Sequence, residues 1–296
     1  MTHPHDAEDH DLGLQHDLIA ISRQVADRRR LLGYMLGGGA LALLPGCGAE
    51  DTDTSTDETG TGSTGSGSGS GGATSSSCVA DPEETNGPYP SDGSNSVNGS
   101  VSNVLVQSGI VRSDIRASFG SATGVASGVP LRLTVNVVNS NNSCAPLSGV
   151  AVYLWHCTAN GLYSLYSSGA QNENYLRGVQ ETNASGQLTF TTVFPGCYAG
   201  RYPHIHFEVY QTLATATRYA NRLLCGQMAL PRAACTTVYS TATGYGSSTA
   251  NLGSTTIATD GIFADNTAAQ IAQQTIALSG SVAAGYDGTI TVGVAW

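Results

Sequence analysis

The stretch Leu131-Arg132-Leu133-Thr134-Val135-Asn136-Val137 alternates apolar and polar residues with a period of two. Successive side chains of a β-strand point to opposite faces of the sheet, so this alternation predicts a strand with one buried face. Similar short runs, separated by Gly, Asn, Ser and Pro, occur at residues 150–155, 187–194, 205–210 and 289–296. Short strands at such spacing predict an all-β fold, a single β-sandwich over residues 78–296.

The composition of the chain supports this fold class and excludes one class of partner. The 296 residues carry 22 Asp and Glu against 12 basic residues, all Arg, for a formal net charge of -10. A chain this acidic lacks the phosphate-neutralising surface of nucleic-acid-binding proteins, so we expect no nucleic acid partner. The 37 Gly residues and the 11% of charged residues suit short strands and turns. Short helices are expected at residues 218–224, 232–239 and 267–276.

Residues 1–47 have the features of an export signal. Arg28-Arg29-Arg30 precedes an apolar stretch, residues 33–44, which is shorter than the ~20 residues that cross a bilayer. We therefore predict a twin-arginine signal, with a buried N-terminal helix as the alternative. The ending Pro45-Gly46-Cys47 resembles a lipobox, so Cys47 is a candidate for a lipid anchor to the membrane. The expected location is exported, periplasmic or at the cell envelope.

A linker is predicted between this signal and the folded domain. Of residues 48–77, 23 of 30 are Gly, Ser or Thr and five are acidic, so this segment cannot form a hydrophobic core. Six cysteines then fall within the predicted domain: Cys78, Cys144, Cys157, Cys197, Cys225 and Cys235. In an exported domain an even count predicts up to three disulfides, in pairs that counting cannot assign. A thiolate zinc site is the weaker alternative, since no CxxC pair occurs.

The residue types that carry chemistry concentrate in the stretch from Phe194 to Phe207. On a strand, His204 and His206 project from the same face and could offer two imidazoles to one metal ion. Glu208 shares their parity and is the alternative ligand. The chain also holds 13 Tyr, and a trivalent cation such as Fe(III) prefers anionic oxygen and can hold a phenol deprotonated.

Several motifs together resemble the intradiol ring-cleavage dioxygenases, the family of catechol and protocatechuate dioxygenases. The motifs are Glu84-Thr85-Asn86-Gly87-Pro88-Tyr89, Ser113-Asp114-Ile115-Arg116, Pro146-Leu147-Ser148-Gly149-Val150, the run from Tyr153 to Tyr163, Pro195-Gly196-Cys197-Tyr198 and His204-Ile205-His206. The resemblance covers nearly all of residues 78–296. It implies a β-sandwich of the prealbumin-like type with a few short helices.

The resemblance also implies a ligand set and a reaction. Tyr163, Tyr198, His204 and His206 match the four Fe(III) ligands of the family. The implied reaction takes a small aromatic diol and O2, and cleaves a catechol-type ring between its hydroxyl-bearing carbons to give a muconate-type diacid. Tyr198 would accept a substrate proton, Arg201 would stabilise charge on the ring, and Gln227 is a candidate for orienting the substrate.

The sequence is also compatible with other functions. An exported, non-catalytic β-sandwich could serve as a binding or adhesion module, because fold does not determine function. A cupin-type oxygenase built on the His-x-His pair is a further alternative, but it explains neither tyrosine. Neither the identity of the diphenol nor the oligomeric state can be deduced from the sequence.

Overall fold

The computed structural model describes residues 78–296. The predicted signal (1–47) with its possible lipid site at Cys47, and the linker (48–77), lie outside the described residues and remain predictions. The described strands are β1 (Asp92–Val97), β2 (Ser100–Asn103), β3 (Pro130–Asn139), β4 (Ala145–Pro146), β5 (Ala151–Trp155), β6 (Arg177–Glu181), β7 (Gln187–Val193), β8 (His204–Tyr210), β9 (Arg222–Ala229), β10 (Ala277–Ser281) and β11 (Gly285–Val294). The α-helices of this part are α1 (Arg232–Thr241), α2 (Ser248–Ser254) and α3 (Ala268–Gln274).

Two sheets form the sandwich that the sequence predicts. In the four-stranded sheet the order is β6-β5-β8-β9, with every neighbouring pair antiparallel. In the five-stranded sheet β11 runs between β10 and β3, and β4 and β7 both pair with β3. The contact between β3 and β11 is parallel, whereas the other pairs of this sheet are antiparallel.

The main hydrophobic core lies between these two sheets. Leu131, Leu133, Val135 and Val137 of β3 are each at most 1% exposed, so the predicted alternation is confirmed. They share one cluster with the inner face of the four-stranded sheet, including Ile205 of β8. Burying such side chains stabilises the fold by about 1.5–3 kcal/mol each.

The outer face of the four-stranded sheet is also covered. The loop that follows β2, which contributes Val104 and Leu105, and the loop after β5 pack a second apolar cluster against Tyr153 and Trp155 of β5. Residues 78–91, here called the N-terminal strap, run across this region before β1 begins. The even-numbered side chains of β8 therefore point into a closed space between the sheet and these loops.

One sequence expectation needs correction. The segment 218–224 is not a helix, because a single 3-10 turn (Tyr219–Asn221) leads directly into β9, which pairs with β8. Of the up to three expected disulfides, residues 78–296 contain one, Cys78–Cys144. The thiols of Cys157, Cys197, Cys225 and Cys235 are free and buried. The helices expected at 232–239 and 267–276 are present as α1 and α3. Within the described residues, no helix is both long and apolar enough to cross a membrane.

Candidate metal centre

The two histidines of β8 lie side by side, as the strand parity predicts. The Nε2 atoms of His204 and His206 are 3.1 Å apart, and both side chains are 2% exposed. Ile205 between them points the other way into the main core. Both imidazoles therefore face the space beneath the loops.

The backbone of Tyr202 fixes the proton of His204. Its carbonyl oxygen lies 2.6 Å from His204 Nδ1, and a carbonyl only accepts, so the ring donates its proton there. This leaves the lone pair on Nε2, directed at His206 and Tyr198. The ring of His206 is held by stacking on Trp155, with centroids 4.8 Å apart and an interplanar angle of 8°.

Tyr198 reaches this pair from the loop between β7 and β8. Its hydroxyl lies 3.2 Å from His204 Nε2. The loop can approach this closely because residue 196 is glycine: a Cβ there would lie 2.3 Å from the carbonyl oxygen of Ala159. The Pro-Gly-x-Tyr turn thus places Tyr198 by close backbone packing.

Tyr163 completes the group from the loop after β5. Its hydroxyl oxygen is 3.4 Å from that of Tyr198, and its ring meets His206 edge-on at a centroid distance of 6.2 Å. The N-terminal strap covers it, with Tyr89 packed at 4.9 Å between ring centroids. Gly87 of the strap passes so close that a Cβ would lie 3.3 Å from His206 Cε1, and its φ of +72° also favours glycine.

Arg201 and Gln227 lie beside the four donors and bond to each other. Arg201 Nη2 donates to Gln227 Oε1 at 2.6 Å, and Gln227 Nε2 donates to the Thr85 carbonyl of the strap at 3.1 Å. Arg201 also pairs with the buried carboxylate of Asp260, with Nε to Oδ2 at 3.0 Å. Sequence reasoning missed Asp260, which lies 59 residues from Arg201 along the chain.

Burial controls the charge state of the donors. It lowers the pKa of His204 to about 3, assisted by the Arg201 charge, and it holds the pKa of His206 well below its usual range. It raises the pKa of Tyr198 to about 12 and places that of Tyr163 well above 10. At neutral pH the protein alone therefore presents two neutral imidazoles and two protonated phenols.

Other candidates point elsewhere. His156 is buried, with Nδ1 2.7 Å from the Cys157 carbonyl and Nε2 2.7 Å from Thr192 Oγ1. Glu208 accepts a hydrogen bond from the Tyr210 hydroxyl at 2.5 Å. Within residues 78–296, no three His, Cys, Asp or Glu side chains gather as a possible metal site. The donor group of this protein therefore differs from a site made only of His, Cys, Asp or Glu because two of its four members are phenols: Tyr163, Tyr198, His204 and His206.

The donor set fits a cation. Ligand atoms about 2.0–2.2 Å from one ion lie roughly 3.0–3.4 Å from each other. The three neighbouring donor distances here are 3.1, 3.2 and 3.4 Å. His204 Nε2 has a single lone pair that faces both Tyr198 and His206, an arrangement that one bound cation satisfies better than two competing donors. Deprotonated phenols would supply the charge that such an ion requires.

Comparison with known proteins agrees with this geometry. A family model described as "Dioxygenase" matches residues 116–222. Catechol 1,2-dioxygenase 1 of Acinetobacter lwoffii is 32% identical over 83 residues, which cover 22% of this chain and 27% of that protein. The chain thus matches about a quarter of this curated relative's length. An intradiol ring-cleavage dioxygenase from Tetranychus urticae superposes with a TM-score of 0.53 at 24% identity, over 73% of this chain and 95% of that one.

The resemblance to the intradiol ring-cleavage dioxygenases is confirmed. The structural match shows that residues 78–296 have the fold of this family, and the family model covers the segment that carries all four donors. The intradiol fold explains why two tyrosines from separate loops and two histidines from one strand meet at a single point.

Proposed function

We propose that this protein is a non-haem Fe(III) dioxygenase that cleaves a catechol-type ring between its two hydroxyl-bearing carbons, yielding a muconate-type diacid. One observation carries the proposal: the polar atoms of Tyr163, Tyr198, His204 and His206 converge, with neighbouring donors 3.1–3.4 Å apart. The match to the family model described as "Dioxygenase" and the fold shared with an intradiol ring-cleavage dioxygenase support the reaction class.

The donor chemistry favours Fe(III) over other ions. Phenolate oxygen suits a hard trivalent cation, whereas zinc sites in proteins are built from thiolates, imidazoles and carboxylates. When bound, Fe(III) would supply Lewis-acid chemistry, holding a catechol and making its ring reactive towards O2.

The chain's own residues would bind and orient the substrate. Tyr198 is half-buried, so its oxygen is the donor best placed to take a proton from a substrate hydroxyl. Arg201 remains protonated, because the Asp260 carboxylate outweighs the effect of burial and raises its pKa. Its positive charge beside Tyr198 would stabilise negative charge on the ring. Gln227, bonded to Arg201 and the strap, would orient Arg201 rather than substrate.

A direct assay tests the proposal. Iron-loaded protein is mixed with catechol, protocatechuate or hydroxyquinol, and O2 uptake and ring-opened diacid are measured together. We expect one O2 consumed for each ring opened with at least one diphenol. An iron-loaded protein that opens no ring, or that produces an aldehyde through cleavage outside the diol, would contradict it.

We further propose that the domain is exported. A disulfide between Cys78 and Cys144 supports this, since disulfides persist mainly in oxidising compartments. Replacing Arg28 and Arg29 by Lys should block export if the twin-arginine route is used. Mass spectrometry of the mature N-terminus would show whether Cys47 carries lipid.

A further inference from the structure

Both carboxylate oxygens of Asp260 accept hydrogen bonds from N–H groups of other residues. It is fully buried, follows the 3-10 turn Ile257–Thr259, and is held by the backbone N–H groups of Ile262 at 2.9 Å and Phe263 at 3.2 Å, both on Oδ1. Burial pushes its pKa up, but the Arg201 charge and the hydrogen bonds outweigh burial and hold the pKa below its usual value. The carboxylate is therefore charged and fixed in place by its own turn.

This fixed carboxylate accepts hydrogen bonds from two residues of the segment between Tyr198 and His204, namely Arg201 and Tyr202. Arg201 Nε donates to Oδ2 at 3.0 Å and Nη2 donates to Oδ1 at 3.3 Å, a two-pronged contact. The backbone N–H of Tyr202 donates to the same Oδ2 at 2.6 Å. An arginine side chain has many rotamers, and this contact leaves its guanidinium one orientation.

The contact between Asp260 and Arg201 matters because the guanidinium lies close to the donor group. Its Nη2 donates to Gln227 Oε1 at 2.6 Å, and Gln227 lies opposite His206 in the pairing of β8 with β9, so the positive charge lies next to the donor group. A buried ion pair by itself is weak evidence for a stabilising role, since apolar replacements of such pairs are often neutral. A role in placing the charge of Arg201 explains the pair better.

We propose that Asp260 is a positioning residue for ring cleavage, acting through Arg201 by fixing the guanidinium beside Tyr198. This inference rests on the proposed function. It assigns Asp260 no contact with the substrate, so its effect requires Arg201 to be present.

A double-mutant cycle tests this dependence. Using iron-loaded full-length protein, kcat is measured for wild type, Arg201→Ala, Asp260→Ala and the double variant. We expect Arg201→Ala to lower kcat about 100-fold and Asp260→Ala about 10-fold or more. The double variant should be no slower than Arg201→Ala alone. Iron content and the visible absorption of the bound iron, recorded for every variant, should stay at the wild-type level. Losses that multiply in the double variant would overturn the inference.

A measurement on the wild type covers the case in which Asp260→Ala does not fold. Arginine side-chain NMR reports how fast each Nε–H exchanges with water. We expect the Arg201 Nε–H to exchange at least 100-fold more slowly than that of Arg132, an exposed arginine whose nearest carboxylate oxygen, on Asp287, is 3.9 Å away. Equal exchange rates would overturn the inference. A wild type that takes up iron and opens no ring would instead contradict the proposed function, and the positioning role with it.

Discussion

The two ends of β8 place polar side chains on the same face of the same strand, but they meet different surroundings. At the first end His204 and His206 turn their Nε2 atoms towards each other and towards two phenols. At the other end Glu208 accepts a hydrogen bond from Tyr210 and lies opposite Cys225 of β9. Burial and the nearby Asp92 raise the pKa of Glu208 well above its usual value.

The difference shows that strand parity alone does not decide which side chains join the donor group. Parity brings Glu208 into line with the histidines, yet the loops decide which side chains share a space. The turns that carry Tyr163 and Tyr198 cover the histidine end, whereas β1 and the start of the strap cover the glutamate end. A buried carboxyl that accepts a hydrogen bond from a neighbouring hydroxyl is a structural group there.

The largest expected effect is a difference in iron binding between variants at the two ends of β8. His204→Ala should abolish iron binding, because it removes the lone pair at the centre of the donor group. Glu208→Gln keeps the shape of the carboxyl side chain and should bind iron in wild-type stoichiometry. Metal analysis of both variants after the same reconstitution measures this. Loss of iron in Glu208→Gln would make Glu208 a ligand and break the comparison.

The strap over the histidine end is anchored by the disulfide, and removing it should destabilise the domain. Cys78 and Cys144 are 66 residues apart, so Cys78→Ser should lower the free energy of unfolding by about 2–4 kcal/mol. Thermal unfolding with and without reductant checks this. Cys235→Ala removes a free thiol and should keep the full response to reductant. A wild-type melting temperature that reductant leaves unchanged would contradict the prediction.

Arg201→Ala sharpens the comparison within the histidine end. The side chain is a charge and not a ligand, so iron and its colour should remain while ring cleavage slows about 100-fold. Steady-state O2 uptake measures the loss. Arg132→Ala changes an exposed arginine on the opposite sheet and should leave the rate within twofold of wild type. Full activity in Arg201→Ala would remove its catalytic role.

A smaller effect concerns the carboxyl of Asp81, in the strap. Burial raises its pKa to about 6, although Gly293 N–H and Gln273 donate to it. Since the folded pKa exceeds the unfolded one, this group's contribution to stability is present below about pH 4 and is lost as pH rises through 6. Asp81→Asn should therefore be about 1–3 kcal/mol more stable than wild type at pH 8. That advantage should shrink towards pH 4.

Chemical denaturation at both pH values tests the sign of this effect. Asp287→Asn, at an exposed carboxylate, should change stability little at either pH. An Asp81→Asn variant that is less stable than wild type at pH 8 would contradict the assigned pKa direction.

The sequence predicts those parts of the fold that local patterning controls. Alternation over Leu131–Val137 predicts β3, and parity predicts the shared face of His204 and His206. The failure at 218–224 has a physical cause: β9 is buried on both faces from Leu224 onward, so it shows no alternation to distinguish it from a helix.

The rest of the site depends on contacts between distant segments. Asp260 pairs with Arg201 although two strands (β8 and β9) and two helices (α1 and α2) lie between them in the chain, so the sequence around either residue does not predict the pair. The pairing of the one disulfide could likewise not be assigned, because an even number of cysteines does not show which Sγ atoms face one another. Cys157 and Cys197, for example, make weak contacts with backbone carbonyls at 3.5 Å instead.

The visible spectrum of the iron-loaded protein, recorded beside its metal content, shows whether the phenols of Tyr163 and Tyr198 bind iron. Two phenolate ligands on Fe(III) give a charge-transfer band, so the account predicts a red-brown protein with one iron per chain. Tyr163→Phe and Tyr198→Phe should each weaken or shift that band. A protein that binds iron without colour, or that takes up zinc in place of iron at these four residues, would contradict the account.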